Sequence, residues 1–161
     1  MIIRKAKLGD CKEFIRLFNL FRKDDEDAFL SGFLLEAVRL KKNYKKEVER
    51  YFKSFISSTK KAIYFAEEEK EIIGLVFGSI STHGRYYEHY DKEGVIDGIF
   101  VIRSKRGKGI SSKLKDELFK WFKSKKLKFV GLGVMDKNKK AQKIYKKWGF
   151  KPFWNKMELK L

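Results

Sequence analysis

The sequence predicts a mixed α/β domain, on three observations. Apolar residues recur at helical spacing in several stretches, strand-length runs separate them, and one strand-like run passes through a glycine loop directly into a helix. With 161 residues, 43% of them apolar, the chain is long enough to bury a real core, and one domain spanning 1–161 is expected.

The elements read in order as follows. Residues 1–6 form a first strand. Asp10 and Glu13 then make a capping box for a helix whose core face holds Phe14, Leu17, Phe18 and Phe21. The run Asp24, Asp25, Glu26 and Asp27 is expected to end that helix. Helical periods return at Leu30, Phe33, Leu34, Ala37 and Val38, and again at Tyr44, Val48, Tyr51, Phe52, Phe55 and Ile56, so two or three helices precede the next strand. Residues 62–66 and 72–81 read as an antiparallel hairpin around a polar turn, with Gly74 and Gly78 weakening its second strand.

Residues 82–93 show no clear period and are rich in Tyr and hydrogen-bonding side chains. They read as a loop that either contacts substrate or packs on its own tyrosines, and the spacing of His83 and His89 gives no metal motif. Residues 95–102 form the central strand, followed by the loop Arg106-Gly107-Lys108-Gly109-Ile110-Ser111 and a helix to about Ser124 with Ile110, Leu114, Leu118, Trp121 and Phe122 on one stripe. Residues 128–135 follow as a strand parallel to the central one, by the right-handed crossover rule. A helix over 138–148 stops at Gly149, and the alternation of Met157, Leu159 and Leu161 predicts a last, half-exposed strand.

The formal net charge is +18, and it is unevenly spread. Residues 1–100 hold 19 Lys plus Arg against 17 Asp plus Glu, whereas residues 101–161 hold 20 against 4, which gives +2 and +16. That field suits a polyphosphate cofactor, and it equally suits a contact with RNA or the ribosome or a solvated Lys-rich surface of the heat-adapted kind. The single cysteine, Cys11, excludes an intrachain disulfide and reads as structural. The longest apolar run, residues 72–80, is strand-sized, so a soluble cytoplasmic protein without membrane contact is expected. A homodimer stays open.

The glycine loop carries the chemistry. Gly107 and Gly109 leave the backbone bare at a helix start, where successive N–H groups face outward and bind anions such as phosphate. A dinucleotide fold is set aside because Gly107-x-Gly109-x-x-Ser112 lacks its third glycine and too little chain follows Asp136; no P-loop string occurs.

Strand, loop and helix resemble the acetyl-CoA-binding core of the GNAT superfamily of N-acetyltransferases, whose signature is Arg or Gln, two residues, Gly, one residue, then Gly or Ala. Here Arg106, Gly107, Lys108, Gly109 and Ile110 fit, and Ser111 departs at the last position. A second block, from Asn138 through Ala141 and Tyr145 to Gly149-Phe150, resembles the N-x-x-A-x-x-x-Y-x-x-x-G-F element. The close likeness covers about residues 94–152. It implies a central, mostly antiparallel twisted sheet of six or seven strands with a parallel pair at the cofactor site, flanked by four or five helices.

It further implies acetyl-CoA as co-substrate and no metal. The pyrophosphate would lie on the amides of Arg106, Gly107, Lys108, Gly109, Ile110, Ser111 and Ser112, the thioester beside Ile99, Phe100 and Val101, with Asn138 touching the cofactor. The reaction implied is direct attack, in a ternary complex, by a primary amine of a polyamine, small molecule or peptide. A lysine-like amine is neutral in only about 1 molecule in 2,500 at pH 7, so a base is needed. Asp97 stands where relatives often carry a catalytic Glu, and Tyr145 matches the usual general acid for the departing thiolate. The alternative is the same fold used to bind RNA or ribosome through the basic half, with acetyl-CoA as ligand and little turnover. The acidic run 24–27, in the helical region that lines the acceptor site in relatives, would suit a polyamine or lysine-bearing acceptor.

Overall fold

A computed structural model of the chain describes residues 1–29, 42–82 and 92–153. The elements are β1 (Ile2–Lys5), α1 (Cys11–Phe29), α2 (Tyr44–Ile56), β2 (Lys61–Glu68), β3 (Glu71–Thr82), β4 (Lys92–Val101), α3 (Ile110–Ser124), β5 (Val130–Leu132) and α4 (Lys139–Lys147). Short 3-10 turns precede α1 at Leu8–Asp10 and follow β4 at Arg103–Lys105. The sheet runs β1-β2-β3-β4-β5, antiparallel up to β4 and parallel between β4 and β5. Four helices flank these five strands among the described residues. The expected strand at 157–161, the helical stretch at 30–38 and most of the 82–93 loop lie outside them.

The sheet separates two apolar layers. On one face α1 and α2 bury Phe14, Leu17, Phe52 and Phe55 against Phe65, Leu75 and Phe77. Phe77 is the hub of this layer, edge-on to Phe14 and Phe55 with both ring centroids at 5.8 Å. On the other face α3 buries Ile110, Leu114, Leu118 and Phe122 against Tyr64, Ile73, Val76 and Ile96, the stripe that the 3.6-residue period marks.

Gly74, Gly78 and Gly94 lie under α3, and their role is close approach. A Cβ at Gly78 would meet Leu118 Cδ2 at 2.9 Å, and one at Gly94 would meet the Phe122 ring at 2.7 Å. The bare backbone lets α3 settle onto β3 and β4, which fixes the start of α3 and hence the loop before it. Gly94→Ala forces a methyl into the ring of a residue only 1% exposed, and overpacking of this kind costs about 1–3 kcal/mol. Urea unfolding should show that loss with the fold retained; an unchanged midpoint would mean that α3 can slide outward.

Three local expectations are corrected. The run 24–27 does not end α1, which continues to Phe29. Asp10 does not open α1 as a capping box: its carboxylate turns back, accepting from the Lys7 N–H at 2.7 Å and from both Arg4 Nη atoms at 2.9 Å. Arg4 holds the Asp10 carboxyl below its ordinary pKa, and an ion pair outcompetes the weaker helix N–H contact. The strand predicted over 128–135 is only Val130–Leu132, for a reason that lies in β4.

Candidate active site

Strand β4 is bulged at Asp97. Phe77 of β3 stands opposite Gly98 and Gly78 opposite Ile96, so Asp97 has no partner. Such a bulge bends the strand and interrupts its ladder. On its other side β4 pairs with β5 only at Gly94, Val95 and Ile96. The two strands therefore part where the bulge begins, which shortens β5 and leaves the β4 backbone beyond Ile96 without a β5 partner. Past the bulge the side chains belong to the core: Phe100 and Val101 are buried, Phe100 in the layer under α1 and Val101, with half-buried Ile99, in the layer under α3. A ligand along this stretch of β4 meets main chain.

The loop at the end of β4 has the backbone that the sequence demands. Gly107 and Gly109 take φ of 79° and 72°, left-handed values that side chains with a Cβ resist. A Cβ at either glycine would meet nothing within 4 Å, so space is open above both. Gly109 is the residue before the first turn of α3. The N–H groups of Ile110, Ser111 and Ser112 fall in that first turn, where no intrahelical acceptor exists. Exposed main-chain donors, the positive helix end and Lys108 together fit a pyrophosphate. Ile110 is 4% exposed, and its side chain serves the core under α3.

Arg106 is engaged within the protein. Its Nε donates to the Val101 carbonyl at 2.8 Å, its guanidinium lies 5.4 Å from the Phe100 ring centroid, and Nη2 pairs with Asp24 of α1. Arg103 grips the other Asp24 oxygen from Nε at 3.1 Å and Nη2 at 2.8 Å. The two guanidiniums outweigh partial burial and hold the Asp24 carboxyl below its ordinary pKa. Asp24 is thus committed to binding the loop to α1, which takes it out of the group suggested for a cationic acceptor.

The second sequence block docks on the same loop. Asn138 caps α4, its side-chain oxygen accepting from the Ala141 N–H at 3.0 Å. Trp148 Nε1 donates to Ser112 Oγ at 3.3 Å, and Lys115 of α3 lies 5.5 Å from the centroid of the Trp148 ring. Tyr145 rests on Trp148, with centroids 5.6 Å apart, and on Phe150 at 6.2 Å. Gly149, at φ 93°, closes the helix: its N–H reaches Lys146 and the Phe150 N–H reaches Tyr145, the paired bonds of a Schellman end. The chain thereby draws Tyr145 and Asn138 to the α3 side of the loop.

Asp97 belongs to the opposite face. It reaches solvent, yet the surrounding protein is dense enough that desolvation raises its carboxyl pKa, with Ser79 and Lys61 opposing that rise. Tyr51 of α2 feels the Asp97 charge, and burial foremost, then that charge, push its phenol up. Sequence reasoning did not find Tyr51, Ser79, Lys61, Arg103 or the Trp148–Ser112 contact. The parity of Lys61 and Ser79 in the hairpin was the one available signal. Cys11, at the start of α1, packs against the core, and burial raises its thiol pKa.

The profile of the Acetyltransferase (GNAT) family matches residues 16–150. The chain belongs to the GNAT family. This GNAT chain is 30% identical over 127 residues to an "Uncharacterized N-acetyltransferase" of Archaeoglobus fulgidus, covering 76% of the chain and 84% of that protein. Its fold matches a predicted acetyltransferase of Clostridium acetobutylicum crystallised with acetyl-CoA at a TM-score of 0.79 and 22% identity, over 99% of this chain and 95% of that one. It also matches an aminoglycoside antibiotic 6'-N-acetyltransferase of Acinetobacter haemolyticus at a TM-score of 0.75 and 15% identity, over 100% and 98%. The GNAT chain is accordingly an acetyl-CoA-dependent acetyltransferase. Among its described residues no group of three or more His, Cys, Asp and Glu could hold a metal, and no helix is long and apolar enough to cross a membrane.

Proposed function

We propose that the chain transfers the acetyl group of acetyl-CoA to a primary amine by direct attack in a ternary complex. The observation that carries this reading is that one strand, β4, bears a bulge at Asp97 and then leads into an open glycine cradle at a helix start. Acetyl-CoA supplies the activated acyl carbon and a thiolate leaving group.

The protein's own part divides between the two faces of β4. The amides of residues 107–112 hold the pyrophosphate, the Arg106 N–H being spent on the Arg103 carbonyl, and the NH2 of Asn138 faces the cofactor. Main chain freed at the bulge supplies a preorganised donor for the carbonyl oxygen, which is worth more out of water than in it. Asp97 takes the proton of the attacking amine, through water because its side chain is short. As the C–N bond forms the C–S bond breaks, and Tyr145 gives its proton to the departing sulfur.

The raised pKa of Asp97 sets a pH signature. The base works only when ionised, so kcat/KM should fall as pH drops through a value above the ordinary carboxyl range of about 3.9. Asp97→Asn should lower kcat roughly 100- to 10,000-fold and erase that inflection, leaving only the titration of the amine. Thiol release followed across pH would show this, and a variant with wild-type rate and profile would remove Asp97 from the mechanism.

One observation keeps a second reading in view. Lys139, Lys140, Lys143, Lys146 and Lys147 are all exposed on α4, and at about 100° per residue they span an arc of roughly 120°. A contact with RNA or ribosome would use that stripe, beside the cofactor site and compatible with transfer.

A further inference from the structure

The face of the sheet below α2 carries a second charged group for which the mechanism has no use. Lys61 is the first residue of β2, and its Cα partner across the hairpin is Ser79. Ser79 in turn pairs with Val95, two residues before Asp97. With strands about 4.8 Å apart, Lys61 lies roughly 10 Å from β4 across the sheet, within reach of a long side chain.

That side chain is held in place. Its Nζ donates to Ser54 Oγ of α2 at 3.0 Å and sits 5.0 Å from the Phe55 ring centroid and 5.9 Å from that of Tyr51. Lys61 is only part-exposed, and none of the ion pairs among the described residues involves it. Aromatic faces offset part of the cost of desolvating an ammonium. Among the described residues Nζ bonds to Ser54 Oγ and forms no ion pair, while the Asp97 carboxylate lies within electrostatic reach.

We propose that Lys61, its Nζ positioned by Ser54 Oγ, forms a carboxylate-binding subsite beside Asp97, so that the favoured acceptor is an amine carrying its own carboxylate, such as an amino acid or short peptide, rather than a polycation. The inference rests on the acetyltransferase reading and on Asp97 as the group nearest the amine. Asp97 and Lys61 present a negative and a positive charge two strands apart on one face of the sheet, the complement of a zwitterion. A polyamine placed with one nitrogen at Asp97 would bring another toward Lys61 and be repelled. The commitment of Asp24 to Arg103 and Arg106 removes an anion that would have favoured a polycation.

The test compares β-alanine, 4-aminobutyrate and glycylglycine, each against its own carboxamide, together with spermidine, by thiol release with acetyl-CoA. The wild-type protein should use at least one acid roughly tenfold better in kcat/KM than its amide, as a charged hydrogen bond allows. Lys61→Met should bring that ratio to about one, Lys61→Arg should keep it, and Lys61→Glu should turn preference toward spermidine. A merely structural lysine would not move the acid-to-amide ratio. Transfer with equal use of acids and amides, or a ratio unmoved in Lys61→Met, would overturn the subsite alone. Thiol release with none of the amines would count against the acetyltransferase reading, and the subsite would go with it.

Discussion

Gly109→Glu should abolish acetyl-CoA binding while the protein stays folded. The position combines a φ of 72° with empty space above it, so the new side chain projects outward into the pyrophosphate cradle instead of into the core. Two effects act together. The left-handed backbone costs a residue with a Cβ about 1–2 kcal/mol, which tends to distort the loop, and a carboxylate then stands where phosphate charge must sit. In the unsubstituted protein, acetyl-CoA at about 100 times its Kd should add about 2.7 kcal/mol, or roughly 5 to 10 °C in Tm for a chain of this size. That shift should vanish in Gly109→Glu and persist in part in Gly109→Ala, which shares the strain without the charge. A full shift in the Glu variant would place the pyrophosphate elsewhere.

Tyr145→Phe should lower turnover by roughly 100- to 10,000-fold with acetyl-CoA affinity nearly kept. The substitution preserves the ring that rests on Trp148 and Phe150, so α4 and its contact with Ser112 should hold. What the substitution removes is the phenol proton that the proposed mechanism gives to the departing sulfur. A fall in kcat with an unchanged Kd for acetyl-CoA separates the acid from a packing residue. If kcat stayed within twofold of wild type, Tyr145 would belong to the core of α4 and nothing more.

Much of this architecture could be read along the chain because local physics dictates it. The stripe of Ile110, Leu114, Leu118 and Phe122 names its own buried face, Gly107 and Gly109 name a left-handed loop, and Gly149 names a helix end; the structure holds all three. The shortfalls share a cause. That Asp97 is unpaired depends on a one-residue slip between β3 and β4, and no periodicity in either strand records a slip in their pairing. The early end of β5 follows from the same bulge. Asp24 looked like part of an acidic surface because its two arginines lie 79 and 82 residues away. Sequence spacing cannot announce a partner at that distance. The stretches 30–41 and 83–91 leave the expectations placed on them where the sequence put them.

The tie from Asp24 to Arg103 and Arg106 joins α1, which roofs the face that holds Asp97, to the loop offered to the pyrophosphate. The two ligands therefore meet a common strut, and thermodynamics makes such a link reciprocal: whatever factor one ligand adds to the affinity of the other is returned in full. With the loop already braced, less freedom remains to be lost when the first ligand arrives. A carboxylate outside both proposed sites would then carry part of the coupling between donor and acceptor.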